Sequence, residues 1–329
     1  MIKNKYKIFV TGVAGMIGSN VARNLINNGH CVVGVDNFWR GKKSNIEDLL
    51  NNESFFFRHA DIISDQEWFQ DMSNCDELIH IADVVAGIGY VFSNEWNVFQ
   101  KNLLINTSIA RIVSIHKPKF FLYLGTACSY PQGLQRSVDS SELSENDKFP
   151  ADPESGYGWS KLLGEIEFRL VTKNLPTKFI TLDLHNVYGW PCVYKDQTAQ
   201  VIPSLIYKAL RSTDGKLHVW GDGNQGRAFL HVSDVVSAID LARDYQGNFS
   251  TFMIGPDSCT LIRKVAEAIQ TNDLTNIAEI VFDKSKPTGD VGRFADSTLA
   301  KNELKWEPSI DFNVGLNDLI KKISEDEKK

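Results

Sequence analysis

No stretch of the chain holds the roughly 18 consecutive apolar residues that a membrane-spanning helix requires. Nor is there a surplus of positive charge: the net charge is −6, which argues against a surface built for nucleic acid. Neither a membrane nor a nucleic acid is therefore expected as a partner. Cysteine is scarce, with five residues at 31, 75, 128, 192 and 259. None forms a C-x-x-C pair or stands at metal-ligand spacing from a histidine, so no metal site is expected and the pattern fits a reduced, cytoplasmic protein. The first apolar run, KIFVTG, reads as a strand starting at residue 7, so no signal peptide is expected. Repeats and low-complexity tracts are also absent, apart from the polar tail SEDEKK.

What is present is ordinary globular composition, 43% hydrophobic and 23% charged over 329 residues, enough for one large domain or two smaller ones. Short apolar runs alternate with amphipathic stretches through the first half. KIFVTG, CVVGVD, FFFRHADI, ELIHIAD, FFLYLGT and KFITLDLHNV read as strands; MIGSNVARNLINNG, the stretch from about 95 to 116 and GWSKLLGEIEFRLVTKN read as helices. Strands apolar on both faces, separated by helices, predict a doubly wound α/β domain with a parallel sheet. After Asn186 the pattern changes, then returns to it near 229–254. The expected organisation is a Rossmann domain of residues 1–185 plus about 229–254. A smaller α/β C-terminal substrate lobe is expected from 186–228 and 255–329, with the ligand between the two.

The turn TGVAGMIG follows the first strand and opens the first helix. Gly12 suits the tight turn, Gly15 the approach of a pyrophosphate, and Gly18 the packing of helix on strand, with Met16 and Ile17 between them at the helix N-terminus. Asp36 ends the second strand about 20 residues on, where a carboxylate binds ribose hydroxyls and repels a 2′-phosphate. The cofactor expected is NAD, with Asp61 and Ile62 flanking its adenine. Arg40, Lys42 and Lys43 are the residues that would favour NADP instead. In YGWSK, Tyr157 and Lys161 lie four apart and share a helix face. Bringing a phenol of pKa about 10 near 7 takes about 4 kcal/mol, which a close lysine and a cationic cofactor can supply.

These segments resemble the extended short-chain dehydrogenase/reductase family, specifically its nucleotide-sugar-modifying branch, over nearly the whole chain. Thr126, Tyr157 and Lys161 match the family's Ser/Thr–Tyr–Lys triad, and HNVYG, GRAFLHVSD and GDVGRFADSTLAKNELKWEP match its later segments. The resemblance implies oxidation of a sugar carbon to a ketone, chemistry beside that ketone, and return of the hydride. Two residues past the triad Ser/Thr, 4,6-dehydratases generally carry a glutamate; here the position is Cys128. In that respect the chain is similar to the GDP-mannose 3,5-epimerases, which use a cysteine there as acid/base. Their partner lysine falls on Lys195. Their glycine-rich substrate loop falls on GIGYVFSN, with Gly87 and Gly89, and their H-N pair on His185 and Asn186. Arg293 and Arg227 fall where phosphate-binding arginines stand. One position departs: relatives often carry an arginine where this chain has Asp183.

The reaction so implied begins with Tyr157 deprotonating the C4 hydroxyl while Thr126 bonds the developing carbonyl. Cys128 and Lys195 then move protons at C3 and C5 before C4 is re-reduced. The expected partners are a nucleotide-diphosphate sugar, GDP-linked as the resemblance implies, and a second copy of the chain in a homodimer. A 4-epimerase would leave Cys128 and Lys195 without a task, and a 4,6-dehydratase would lack its usual acid. A catalytically silent dinucleotide sensor of the same fold need not keep Tyr157, Lys161 and both arginines.

Overall fold

The computed structural model describes residues 5–138, 142–248, 250–286 and 291–328. Along the chain the principal elements are β1 (Lys7–Thr11), α1 (Met16–Asn27), β2 (Cys31–Asp36), β3 (Phe55–His59), β4 (Glu77–His80), α2 (Glu95–His116), β5 (Phe120–Thr126) and α3 (Gly156–Thr172). They continue with β6 (Lys178–Leu184), α4 (Val201–Leu210), α5 (Val232–Asp244), β7 (Thr251–Ile254), α6 (Ile262–Gln270) and α7 (Phe312–Asp326).

Strands β1 to β7 form one sheet in the order β7-β6-β5-β4-β1-β2-β3, and every pairing is parallel. The apolar residues of each strand point alternately to its two faces. Ile8 and Val10 meet Val21, Ala22 and Leu25 of α1 together with Val235, Ala238 and Ile239 of α5. Phe9 and Phe121, on the opposite face, meet Val98, Ile109 and Val113 of α2 and Phe168 of α3. Burying both faces is what makes the strands read as continuous apolar runs. A third core lies apart from the sheet, where α4, α6 and α7 pack around Leu217 and Val219.

Strand order reverses between β1 and β4, so their carboxyl ends open a crevice, the usual ligand position in such sheets. The sequence reading extends past the observed ends of four strands, because the carboxyl ends of β1, β3, β4 and β6 turn into the loops that line this crevice. KFITLDLHNV in particular is two pieces, since Asn186–Tyr188 leaves the sheet to pair with Phe229–His231. The strand Glu279–Asp283, parallel to Lys216–Trp220, has no counterpart in the sequence reading. Its side chains are only half-buried, which leaves its pattern weak.

Candidate active site

One cavity of about 1190 Å³ runs from the Gly12–Gly15 turn, past the ends of β4 and β5, to residues of the third core. That exceeds the roughly 300–1,000 Å³ typical of a site for one drug-sized ligand. It has room for a dinucleotide and a second molecule.

The dinucleotide end is built by β1, α1 and β2. Gly12 has φ +67°, and a Cβ there would press on the Ala82 backbone at 3.0 Å. Only glycine fits both the conformation and the gap. Gly15 caps α1, and Met16 and Ile17 follow at its N-terminus, where free N–H groups favour an anion. Asp36 is buried and accepts from the Ala14 and Phe38 N–H groups at 2.9 and 2.8 Å. Burial pushes its carboxyl up, and those two N–H donors counter part of the shift. Asp61 accepts from Asn37 Nδ2 at 2.7 Å, and Ile62 is buried beside it. Arg40 is held elsewhere: it donates to the Val85 carbonyl at 2.9 Å and to the Thr198 carbonyl. The residues present fit a dinucleotide with free ribose hydroxyls: Gly12, Gly15 and α1 for its pyrophosphate, Asp36 for the ribose.

The reactive end gathers at the exits of β4 and β5 and the start of α3. Ser155 caps α3, accepting from the Gly158 N–H at 3.4 Å. A Cβ on Gly158 would lie 2.1 Å from the Cys128 carbonyl oxygen, so a glycine is needed to bring α3 onto the turn Ala127–Ser129. Thr126, Cys128, Tyr157 and Lys161 are thereby brought to one wall of the cavity. Thr126 Oγ1 accepts from the Cys128 N–H at 3.2 Å. Lys161 is buried, with its ammonium over the Tyr123 ring. Burial opposes that charge, but Tyr123 and Asp83 outweigh it and the net shift is upward. Tyr157 donates its O–H to Asp83 Oδ2 at 3.2 Å.

The substrate side is arranged differently from the sequence expectation. Arg293 Nη1 donates to Cys128 Sγ at 2.8 Å, and its Nε bonds Gln135. Arg227 lies close by, lowered to about 10 by burial and then by Arg293. Gly87, Gly89 and Asn186 line the same cavity, and the Gly87 N–H ties its loop to the Thr198 carbonyl at 3.1 Å. Lys195 also borders the cavity, but its side chain is exposed and its ammonium is 2.6 Å from Glu327 Oε1. Among the described residues, no hydrogen bond or ion pair joins Lys195 to Cys128. Gly289 and Asp290, which open GDVGRFADSTLAKNELKWEP, lie outside the described residues.

Three participants were missed in the sequence reading. Asp83 is the lone charge in the apolar stretch IADVVAGIG, a signal that was available. Gln135 carries no motif. Lys148, buried against Asp183 and Glu165 under the Cys128 turn, is visible only in three dimensions. It also accounts for the departure at Asp183: the β6 carboxylate answers a lysine brought from the loop before α3.

A glycine-turn dinucleotide cleft facing a Tyr–Lys pair defines a class of nucleotide-dependent oxidoreductive enzymes. The chain belongs to the NAD dependent epimerase/dehydratase family, whose model matches residues 8–255, and its cofactor is NAD. GDP-mannose 3,5-epimerase 1 of Oryza sativa subsp. indica is 29% identical over 313 residues, covering 95% of this chain and 80% of that protein. UDP-N-acetyl-alpha-D-glucosaminuronate decarboxylase of Bacillus cytotoxicus is 28% identical over 326 residues, covering 96% and 97%. Among solved structures, UDP-glucose 4-epimerase of Thermotoga maritima, determined with UDP-glucose, aligns with TM-score 0.85 and 25% identity over 97% of this chain and 99% of that one. No helix among the described residues is long and apolar enough to cross a membrane.

Proposed function

We propose that the protein epimerises a nucleotide-diphosphate sugar, GDP-mannose at C3 and C5, by transient oxidation at C4. The observation that carries this reading is Cys128, a thiol two residues past Thr126 on the wall that also holds Tyr157. NAD, when bound, supplies the two-electron oxidant that takes the C4 hydrogen and later returns it. Tyr157 takes the C4 hydroxyl proton, and Thr126 Oγ1 bonds the oxygen as it becomes a carbonyl. The ketone acidifies the hydrogens on its two neighbours, C3 and C5. Cys128 exchanges a proton there on one face of the sugar, and Lys195 acts from the other. For this Lys195 must first leave Glu327. Arg227 and Arg293 bind the diphosphate by charge-assisted bonds, with Gly87, Gly89 and Asn186 against the sugar.

The similarity to GDP-mannose 3,5-epimerase 1 supports the guanine base and the C3/C5 chemistry. A second reading, a UDP-sugar 4-epimerase, is favoured by the Lys195–Glu327 pair, because that reaction asks nothing of Lys195. We take 1–185 plus about 229–254 as the NAD-binding domain, and 186–228 with 255–329 as the substrate lobe. A homodimer is favoured by exposed apolar stripes at helical spacing: Trp96, Leu104 and Ile115 on α2, and Trp159, Leu163 and Leu170 on α3. Five free cysteines suit a reducing, cytoplasmic setting.

Cys128→Ala separates the two readings. Under C3/C5 epimerisation the variant should still oxidise C4, seen as absorbance of reduced nicotinamide on mixing with GDP-mannose, yet form no inverted product. Wild-type yields of inverted sugar from this variant would remove Cys128 from the chemistry.

A further inference from the structure

Asp83 lies three residues past the end of β4 and belongs to none of the motifs that locate the cofactor or the substrate. Its side chain is 13% exposed, and Oδ2 sits 3.2 Å from Lys161 Nζ. The same oxygen accepts the Tyr157 O–H, also at 3.2 Å. A lysine next to a tyrosine helps the phenol ionise because it offers a positive charge to the phenolate. A carboxylate at equal distance from both cancels that charge and binds the protonated phenol.

We propose that Asp83 is a positioning residue of the Tyr157–Lys161 pair, clamping the phenol as a hydrogen-bond donor in the resting protein so that Tyr157 accepts a substrate proton only against this carboxylate. The proposal rests on Tyr157 being the base for C4 oxidation. Burial first, then Asp83, hold the Tyr157 phenol well above its ordinary value. The other groups facing it are Cys128 from the turn after β5, Tyr123 from β5 and Arg40 from the loop after β2, while Lys161 from its own helix shares the Asp83 carboxylate with it. Arg40 is anchored on the Val85 and Thr198 carbonyls, and from there its charge acts on Asp83 first and on Tyr157 less. Lys161 is the cation in direct contact with the carboxylate that holds the phenol, so Asp83 is the group that occupies it.

The sign follows directly. With the carboxylate present, the basic form of Tyr157 is populated only at higher pH, and the acid limb of the rate profile lies high. Asp83→Asn keeps the size of the side chain and removes its charge. Tyrosinate absorbance of this variant, less that of the same variant carrying Tyr157→Phe, should rise about 1–3 pH units lower than the wild-type difference. The acid limb of kcat/KM should move down by a similar interval, with KM for the sugar nucleotide little changed. Asp83→Ser serves as a second variant should the amide disturb the loop.

An unmoved tyrosinate titration in both variants overturns the proposal. So does loss of turnover at every pH despite a lowered titration, since that would make Asp83 the proton's destination rather than a clamp. If the wild-type protein turns over no sugar nucleotide, the proposed function fails, while the absorbance titration still decides the role of Asp83.

Discussion

Tyr157→Phe should lower turnover of the sugar nucleotide by a factor of about 10²–10⁴, the range for loss of a positioned acid/base group. The phenyl ring keeps the packing of α3 against the turn Ala127–Ser129, which depends on Gly158 rather than on the phenol. Substrate affinity should therefore stay close to wild type, because the phenol acts on the transition state and contributes little to ground-state binding. Stopped-flow absorbance of reduced nicotinamide, alongside calorimetric binding of the sugar nucleotide, separates the two. Turnover within a few-fold of wild type would reject C4 oxidation as the first step.

The largest structural effect is expected at Lys148. Its ammonium is 2.5 Å from Glu165 Oε2 and 2.5 Å from Asp183 Oδ2, and all three side chains are at most 5% exposed. Tyr130 adds a donor to Asp183 at 2.9 Å, which fixes the segment just after Cys128. Lys148→Met would leave Asp183 buried opposite no cation, and Glu165 with Arg169 alone. Removing one partner of a buried pair costs about 3–5 kcal/mol. The urea midpoint should fall accordingly.

The pH dependence has a definite sign. Burial pushes the Asp183 carboxyl up even with Lys148 in place, and the variant removes the counter-charge that restrains it. A carboxyl raised in the folded state adds stability as it protonates. The deficit of Lys148→Met should therefore narrow as pH falls into the carboxylate range. A loss below about 1 kcal/mol at neutral pH would mean that water or rearrangement already screens the carboxylates.

Both sites show what could be read from the chain alone. The TGVAGMIG turn, Asp36 and the YGWSK pair were legible because each is a local pattern: a strand, a turn and a helix start in sequence order, or two residues four apart on one helix. The long helix was legible from end to end, Glu95 to His116, because its apolar spacing persists over many turns. Lys148 and Asp183 are 35 residues apart and meet only because the loop before α3 folds back over β6 and β7, so no spacing rule announces them. The sequence reading treated Asp183 as a missing arginine; in the fold it is one half of a charge pair. Arg293 was assigned to a phosphate, yet its guanidinium also reaches the Cys128 sulfur, a contact set by the turn after β5. Lys195 was matched by its distance from HNVYG, which says nothing of where a long flexible side chain turns.

The central claim is that protons move at the carbons beside a C4 ketone. The most direct measurement is proton NMR of the product formed by the wild-type protein from GDP-mannose in D₂O. Deuterium at both C3 and C5, with inverted sugar as product and C4 still bearing its original hydrogen, is the predicted result. Product carrying no carbon-bound deuterium at C3 or C5 would contradict the account and leave Cys128 as a packed thiol beneath Arg293.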